Sequence, residues 1–370
     1  MTAFRYALIL ALVFLPASPF ATTFPVTKTA DTDDGSCDPD CSLREAIEAA
    51  NANPGADVVP VPAGIYLLTL GQLVVSDEVS IAGAGQTNTI IDGAAADRVI
   101  DIGQPAGVVA ISGVTIQNGY DASISTCGGG IRSSQVDLTL TNSTVSGNTT
   151  VACGGGIGID LGNLTLTNST VSGNNADFGG GIWIDKGALT LTNSTVSGNN
   201  ALVRGGGIAA ISYYGSYADD LALTNSTVSG NTAISSGGGI WNESTYGDLT
   251  LTNSTVSGNT SAGSYGGGIA NFSYYGDLTL NSSTVSGNSA NQGGAGISIY
   301  STFNTLTNTI VADNGTATPN CSNGAFVDSL GYNLADDNSC GFTAPGDLVV
   351  ADAMLGHSQT MVVLRRLTSC

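Results

Sequence analysis

Apolar residues alternate with small polar ones in short runs along most of the chain, and Gly and Asn separate the runs. Ile157-Gly-Ile159, Leu164-Thr-Leu166 and Ser169-Thr-Val171-Ser172 all follow period two, and β-branched residues dominate. That pattern predicts short strands rather than helices. The unit also recurs. Leu140-Thr-Asn-Ser-Thr-Val-Ser-Gly-Asn148 returns at Leu166–Asn174, Leu191–Asn199, Leu223–Asn231 and Leu251–Asn259, and more loosely at Leu280–Asn288 and Leu306–Asn314. Its valine column reads Val145, Val171, Val196, Val228, Val256, Val285 and Val311, with Ile116 before it. A second mark, Gly-Gly-Gly-Ile, ends at Ile131, Ile157, Ile182, Ile208, Ile240 and Ile269, with a variant at Ile297.

Three short strands per repeat cannot bury their apolar faces alone, but stacked coils can. The expected fold is therefore all-β: a right-handed parallel β-helix solenoid whose Ile, paired Leu and Val files fill the interior. An antiparallel sandwich gives no reason for identical residues once per repeat. At the corners a Gly triplet permits a tight bend with positive φ. Two Asn columns, one from Asn142 to Asn308 and one from Asn148 to Asn314, are expected to tolerate left-handed geometry and to stack their amides. Their Asn-x-Ser/Thr sequences then read as by-products of the repeat, since a glycan would block the stacking. Cys127 and Cys153 each precede a Gly triplet, so coiling sets them at matching places in neighbouring coils, about 4.8 Å apart. A disulfide fits that spacing. Cys37 is expected to pair with Cys41 and Cys321 with Cys340, which leaves Cys370 over.

The ends of such a stack need caps. Ser42-Leu-Arg-Glu45 is a capping box, and it predicts a short N-terminal capping helix to about Asn51 with Leu43, Ala46, Ile47 and Ala50 on one side. Before it, Arg5, the apolar run Tyr6 to Leu15 and a small residue at Ala21 describe a secretory signal peptide over residues 1–21. Residues 22–57 then form the N-terminal cap and 58–320 the coils. Residues 321–356 form a C-terminal cap region closed by a disulfide. The tail from His357 to Cys370 departs in character and is expected to reflect a frameshift or early stop. No later stretch is apolar for long enough to span a bilayer, so a transmembrane protein is not expected.

Charge narrows the partners. With 29 acidic against 9 basic residues the formal charge is −20, which disfavours nucleic acid, anionic membranes and, without a bridging cation, polyuronates. The single histidine, His357, leaves little for chemistry that relies on imidazole. Seven cysteines in an exported chain point to an oxidising compartment, secreted or at a cell surface or outer membrane.

Cys41-Ser-Leu-Arg-Glu-Ala-Ile47, with Thr29-Ala-Asp-Thr32 before it and Ala49-Ala-Asn-Ala-Asn-Pro-Gly55 after it, resembles the bacterial CSLREA domain. The repeats that follow resemble the right-handed β-helices of the pectin-lyase-like fold usually found after it, and those of chlamydial polymorphic outer-membrane proteins. Residues 24–355 are covered. The resemblance implies an exported bacterial β-helix, often attached to the surface. The chain is expected to be a non-catalytic scaffold or adhesin that binds, if anything, carbohydrate or a host or neighbour-cell protein through its Tyr-bearing edge.

Several groups stand out as candidate sites. Asp220, Asp248 and Asp277 recur just before the Leu-x-Leu strand, extended by Asp137 and Asn163. Like charges at coil spacing repel, so the column is expected either to serve the turns or to bridge Ca²⁺. Asp160 and Asp185 make a second pair. Related folds include polysaccharide lyases and hydrolases, and Arg132, Lys186 and Arg204 are the cations of the regular coils, with Lys186 beside Asp185. A lyase-like cluster of these groups is the alternative function. Thr139 and Thr141 and their copies are expected to form two outward rows, like the Thr-x-Thr face of ice-binding β-helices. Tyr213, Tyr214, Tyr217, Tyr246, Tyr274 and Tyr275 lie in the longer coils and are expected to stack on one edge, a surface for a glycan or protein.

Overall fold

The computed structural model describes residues 21–353 and 355, apart from 105–106, 213–218, 302, 316–317 and 323–326. The chain winds into about 10 turns of a right-handed parallel β-solenoid. Four parallel sheets of eleven, nine, twelve and seven strands run along its axis. One coil shows the plan. Strand Ile157–Asp160 lies in the nine-stranded sheet and Leu164–Thr167 in the eleven-stranded sheet. Thr170–Ser172 follows in the twelve-stranded sheet and Asn175–Phe178 in the seven-stranded sheet. Matching letters are vertical neighbours: Ile157 pairs with Ile131 and Ile182, Leu164 with Leu138 and Leu189, Val171 with Val145 and Val196. All of these side chains are buried, so each file is a dry column of one residue type.

The pattern announced three strands per coil, and the structure has a fourth from Tyr120–Asp121 onward. Many copies of the fourth strand are only two residues long, as at Thr149–Thr150. With one inward residue apiece they show no alternation to read.

The two Asn columns differ, which corrects the expectation that both stack. Asn148, Asn174, Asn199, Asn231, Asn259, Asn288 and Asn314 are buried, and each amide donates to the Oδ1 of the next in the file. The other column, Asn142, Asn168, Asn193, Asn225, Asn253 and Asn308, sits at φ near 50° and is exposed. Among the described residues its amides meet once, Asn168 Nδ2 donating to Asn142 Oδ1 at 3.3 Å. The residue after it takes over the inward role: Ser143 N–H donates to Ser169 Oγ, which donates back to Thr167 O. A glycan would therefore disrupt stacking in the buried file only.

The Gly triplets serve two purposes. Gly154 has φ +65°, a left-handed bend, whereas Gly155 and Gly156 do not. A Cβ on Gly156 would stand 2.8 Å from Gly181 O and 2.9 Å from Asn174 Nδ2. The third glycine is there to let the Asn ladder pass.

Helix Leu43–Ala52 opens on Ser42 with both halves of a capping box and buries Leu43, Ala46, Ile47 and Ala50 against strands Asp57–Val61 and Leu73–Val75. Arg44 forks onto Asp31 and donates to the carbonyls of Gly71 and Gln72, tying the helix to the first coil. At the other end, Asp328–Ser329, Leu334–Ala335 and Leu348–Val349 continue the sheets. Disulfides join Cys37 to Cys41, Cys127 to Cys153 and Cys321 to Cys340, with Cα–Cα distances of 4.6, 4.6 and 5.0 Å. They fit an extracellular or secreted protein. No helix among the described residues is long and apolar enough to cross a membrane.

Candidate functional site

Strand alternation in the nine-stranded sheet points Ile157, Ile159, Ile182 and Ile184 inward and sends Asp160, Trp183 and Asp185 to the outer face. One outward row reads Arg132, Gly158, Trp183, Ala209, Trp241, Ala270, Ser298 in register. Gly158 leaves a hollow in that row between Arg132 and Trp183. Any Cβ there would come 2.6 Å from the Cβ of Cys127, because the disulfide-bearing loop crosses over it. The hollow is a cleft of about 290 Å³ lined by Ser125, Thr126, Arg132, Asp160, Trp183, Asp185 and Lys186 among others.

The far wall is fixed by buried Arg98, which donates to Gly128 O at 2.6 Å, to Thr126 Oγ1 at 3.1 Å and to Asp121. Within the cleft, Arg132 pairs with Asp101 at 2.8 Å and Lys186 with Asp185 at 2.6 Å. The hydrogen bond that Lys186 donates to Asp185, with the fields of Asp185, Asp160 and Asp219, outweighs burial and raises the Lys186 pKa. Asp160 is in register with Asp185. Behind the turn that carries Asp185 and Lys186 lies Asp219, fully buried. Its Oδ1 accepts the Gly187 N–H at 3.0 Å, and its Oδ2 has no partner among the described residues. Burial, reinforced by the charge of Asp185, pushes this carboxyl up to about 7 against the opposing pull of backbone donors and Lys186.

From the cleft an aromatic row runs along the same sheet. Trp183 packs on a cluster with Ala209 and Trp241. Trp241 stacks on Phe272 at 4.8 Å, and Phe272 stacks on Tyr300 at 5.5 Å. Tyr300 is 81% exposed.

Four of the singled-out groups, Arg132, Asp160, Asp185 and Lys186, meet in the cleft. Arg204 does not. It lies in the seven-stranded sheet, over the Trp241 ring at 4.6 Å and paired with Glu243 at 2.6 Å. Repeat position placed it one coil on, but its guanidinium reaches over Trp241, farther along the outward row and outside the cleft. Asp220, Asp248 and Asp277 stack as expected at the entry to the eleven-stranded sheet, exposed to solvent. Asp220 Oδ1 accepts Asp248 N–H at 3.0 Å and Asp248 Oδ1 accepts Asp277 N–H at 2.7 Å, which is the turn role. Among the described residues no three His, Cys, Asp or Glu side chains are grouped to hold a metal. Tyr246 stacks on Tyr275 at 5.1 Å, with Tyr274 edge-on at 4.6 Å. Tyr213, Tyr214, Tyr217, His357 and Cys370 lie outside the described residues. The Thr139 and Thr141 files face outward in register. Sequence reading missed the Trp183–Tyr300 row and Asp219. The signal was present for Trp183 and Trp241, each the residue after a Gly-Gly-Gly-Ile, whereas Phe272 and Tyr300 stand three residues after Ile269 and Ile297. Asp219 gave none.

Residues 79–256 match the family described as the right handed beta helix region. The chain is a right-handed parallel β-helix. It is similar in structure to a pectate lyase, Pel9A, at TM-score 0.52 and 14% identity, over 86% of this chain and 80% of that one. It is also similar to a rhamnogalacturonan lyase (TM-score 0.40, 12% identity, 92% and 90% covered) and to the catalytic domain of an α-1,3-glucanase (0.40, 13%, 90% and 70%). At these identities the first likeness bears on the fold alone, and the other two are too distant to argue from. No curated protein sequence matches the chain.

Proposed function

We propose that this protein is an extracellular β-helix scaffold that binds a glycan along its nine-stranded sheet. One observation carries the reading: a stack of rings on that sheet, buried at Trp241, half-buried at Phe272 and exposed at Tyr300, continues from a polar cleft on the same face. Apolar faces of sugar rings pack on aromatic rings, while hydroxyls take up the polar groups of a cleft. The CSLREA-like start and the likeness of the repeats to surface proteins support an adhesive role. The test is a glycan array probed with the full chain, followed by the Phe272→Ala/Tyr300→Ala variant. Binding that drops at least tenfold in the variant supports the reading. A chain that retains no glycan, or a variant that binds unchanged, would sink it.

The second reading is cleavage of a polysaccharide at the cleft. It is favoured by the in-register acids Asp160 and Asp185 beside Lys186 and Arg132, groups that can serve general acid and base roles. New reducing ends or unsaturated products, lost in Asp185→Asn, would support it over simple binding.

A further inference from the structure

We infer that the cleft recognises a protonated amine, so that the glycan it takes is an amino-sugar polymer with free amino groups. This rests on the reading that a glycan lies along this sheet, and it names the chemical class.

The charges of the cleft decide it. Both cations are already paired, Arg132 with Asp101 and Lys186 with Asp185. Asp160 alone among the acids lining the cleft has no ion-pair partner among the described residues. A uronate or sulfate would have to break one of the two pairs, approach Asp160, and do so on a chain of formal charge −20. Breaking a close pair leaves one partner uncompensated, which is costly. A neutral sugar avoids that conflict but leaves Asp160 with only the field of Lys186, a cation already paired to Asp185. An ammonium answers it. It has three donors and no acceptor, and here the acceptors are Asp160, the second oxygen of Asp185 and the hydroxyls of Ser125 and Thr126. The Trp183 indole lines the same space and attracts a cation to its face. The overall charge steers a polycation toward the protein but does not tell one face from another. The local charge balance gives the cleft its discrimination.

The test is calorimetric titration of the full chain at mildly acidic pH with three probes: a glucosamine tetramer, its fully N-acetylated counterpart, and a galacturonate tetramer. The glucosamine tetramer is expected to bind at least tenfold more tightly than the N-acetylated one, with the galacturonate weakest. Asp160→Asn, whose side chain is half-exposed and whose folding is checked by its melting curve, is expected to erase that preference while keeping the weaker affinity for the N-acetylated probe. Trp183→Ala is expected to weaken both. A preference that survives Asp160→Asn would assign it to overall charge and overturn the inference. So would equal or tighter binding of the N-acetylated or galacturonate probe, although glycan binding itself would then stand. No binding of any probe overturns the amine site, and the array described above then decides separately whether glycan binding falls with it.

Discussion

Asn174 donates from Nδ2 to Oδ1 of Asn199 at 2.9 Å, one coil along, and its backbone N–H donates to the same oxygen at 3.0 Å. Each amide of the file is thus an acceptor twice over for the coil before it. Each also donates to a carbonyl of the valine file, as Asn199 does to Val171 at 3.0 Å, with Ile116 taking that place for Asn148. The side chain stands in for a stretch of strand at a corner where the backbone cannot keep its own ladder.

Replacing Asn199 by Ala therefore strands several buried polar groups at once. We expect a loss of about 2–4 kcal/mol, read as a lower denaturant midpoint. The damage should centre on the coils either side, since solenoid contacts are between neighbours. An unchanged midpoint would contradict the ladder's role.

Two glycines separate steric from conformational need. Gly156→Ala meets Gly181 O and the Asn174 amide and should cost about 1–3 kcal/mol by overpacking. Gly173→Ala has open space around it but φ +64°, so only left-handed strain of about 1 kcal/mol is expected. Thermal melting of both variants checks the order, and a reversed order would count against it.

Asp219 should make stability depend on pH. Its folded pKa, about 7, lies above the unfolded value of 3.8, so the folded state holds the proton more tightly. Stability from this group is complete below about pH 4 and is lost as pH rises through 7, by up to about 4 kcal/mol. Asp219→Asn keeps an oxygen for Gly187 and removes the ionisation, so its melting temperature should change less between pH 5 and 8 than that of the parent. Parallel pH profiles would refute the assignment.

The Asp220–Asp277 column tests turn service against calcium. Asn163 Oδ1 already accepts the Ala188 N–H at 3.0 Å in the same file, so an amide can do this job. Partial desolvation at the sheet entry and the neighbouring Asp248 charge both raise the Asp277 pKa. Asp248→Asn should leave the melting temperature at neutral pH unchanged or slightly higher. A lowered melting temperature, with a parent that chelator destabilises and calcium restores, would instead assign the column to bridging Ca²⁺.

Much of this was legible in one sequence because a coil repeats its own environment. Ile157, Leu164 and Val171 each sit above a copy of themselves, so their files, the Cys127–Cys153 contact and the outward Thr rows follow from counting letters. The capping helix was readable from Ser42 and Glu45 alone, since both partners are local. What failed was local in another sense. The two Asn columns look alike in sequence, but one turns its amide inward and the other outward. Arg204 was placed by repeat number, although its short strand belongs to a different sheet.

The sequence by itself determined the coil, its register and its inward files, because nearest-neighbour stacking needs no information beyond the repeat. Tertiary structure alone decided the cleft. Its wall loop arrives over Gly158 from the preceding coil, Arg132 is neutralised by Asp101 one coil back while Lys186 takes its own neighbour Asp185, and Asp219 is buried behind it by a coil that departs from the repeat. These partners lie one coil apart or side by side in the chain, but they sit at outward and corner positions whose residues change from coil to coil, so the repeat does not say which side chains meet there and the folded path does.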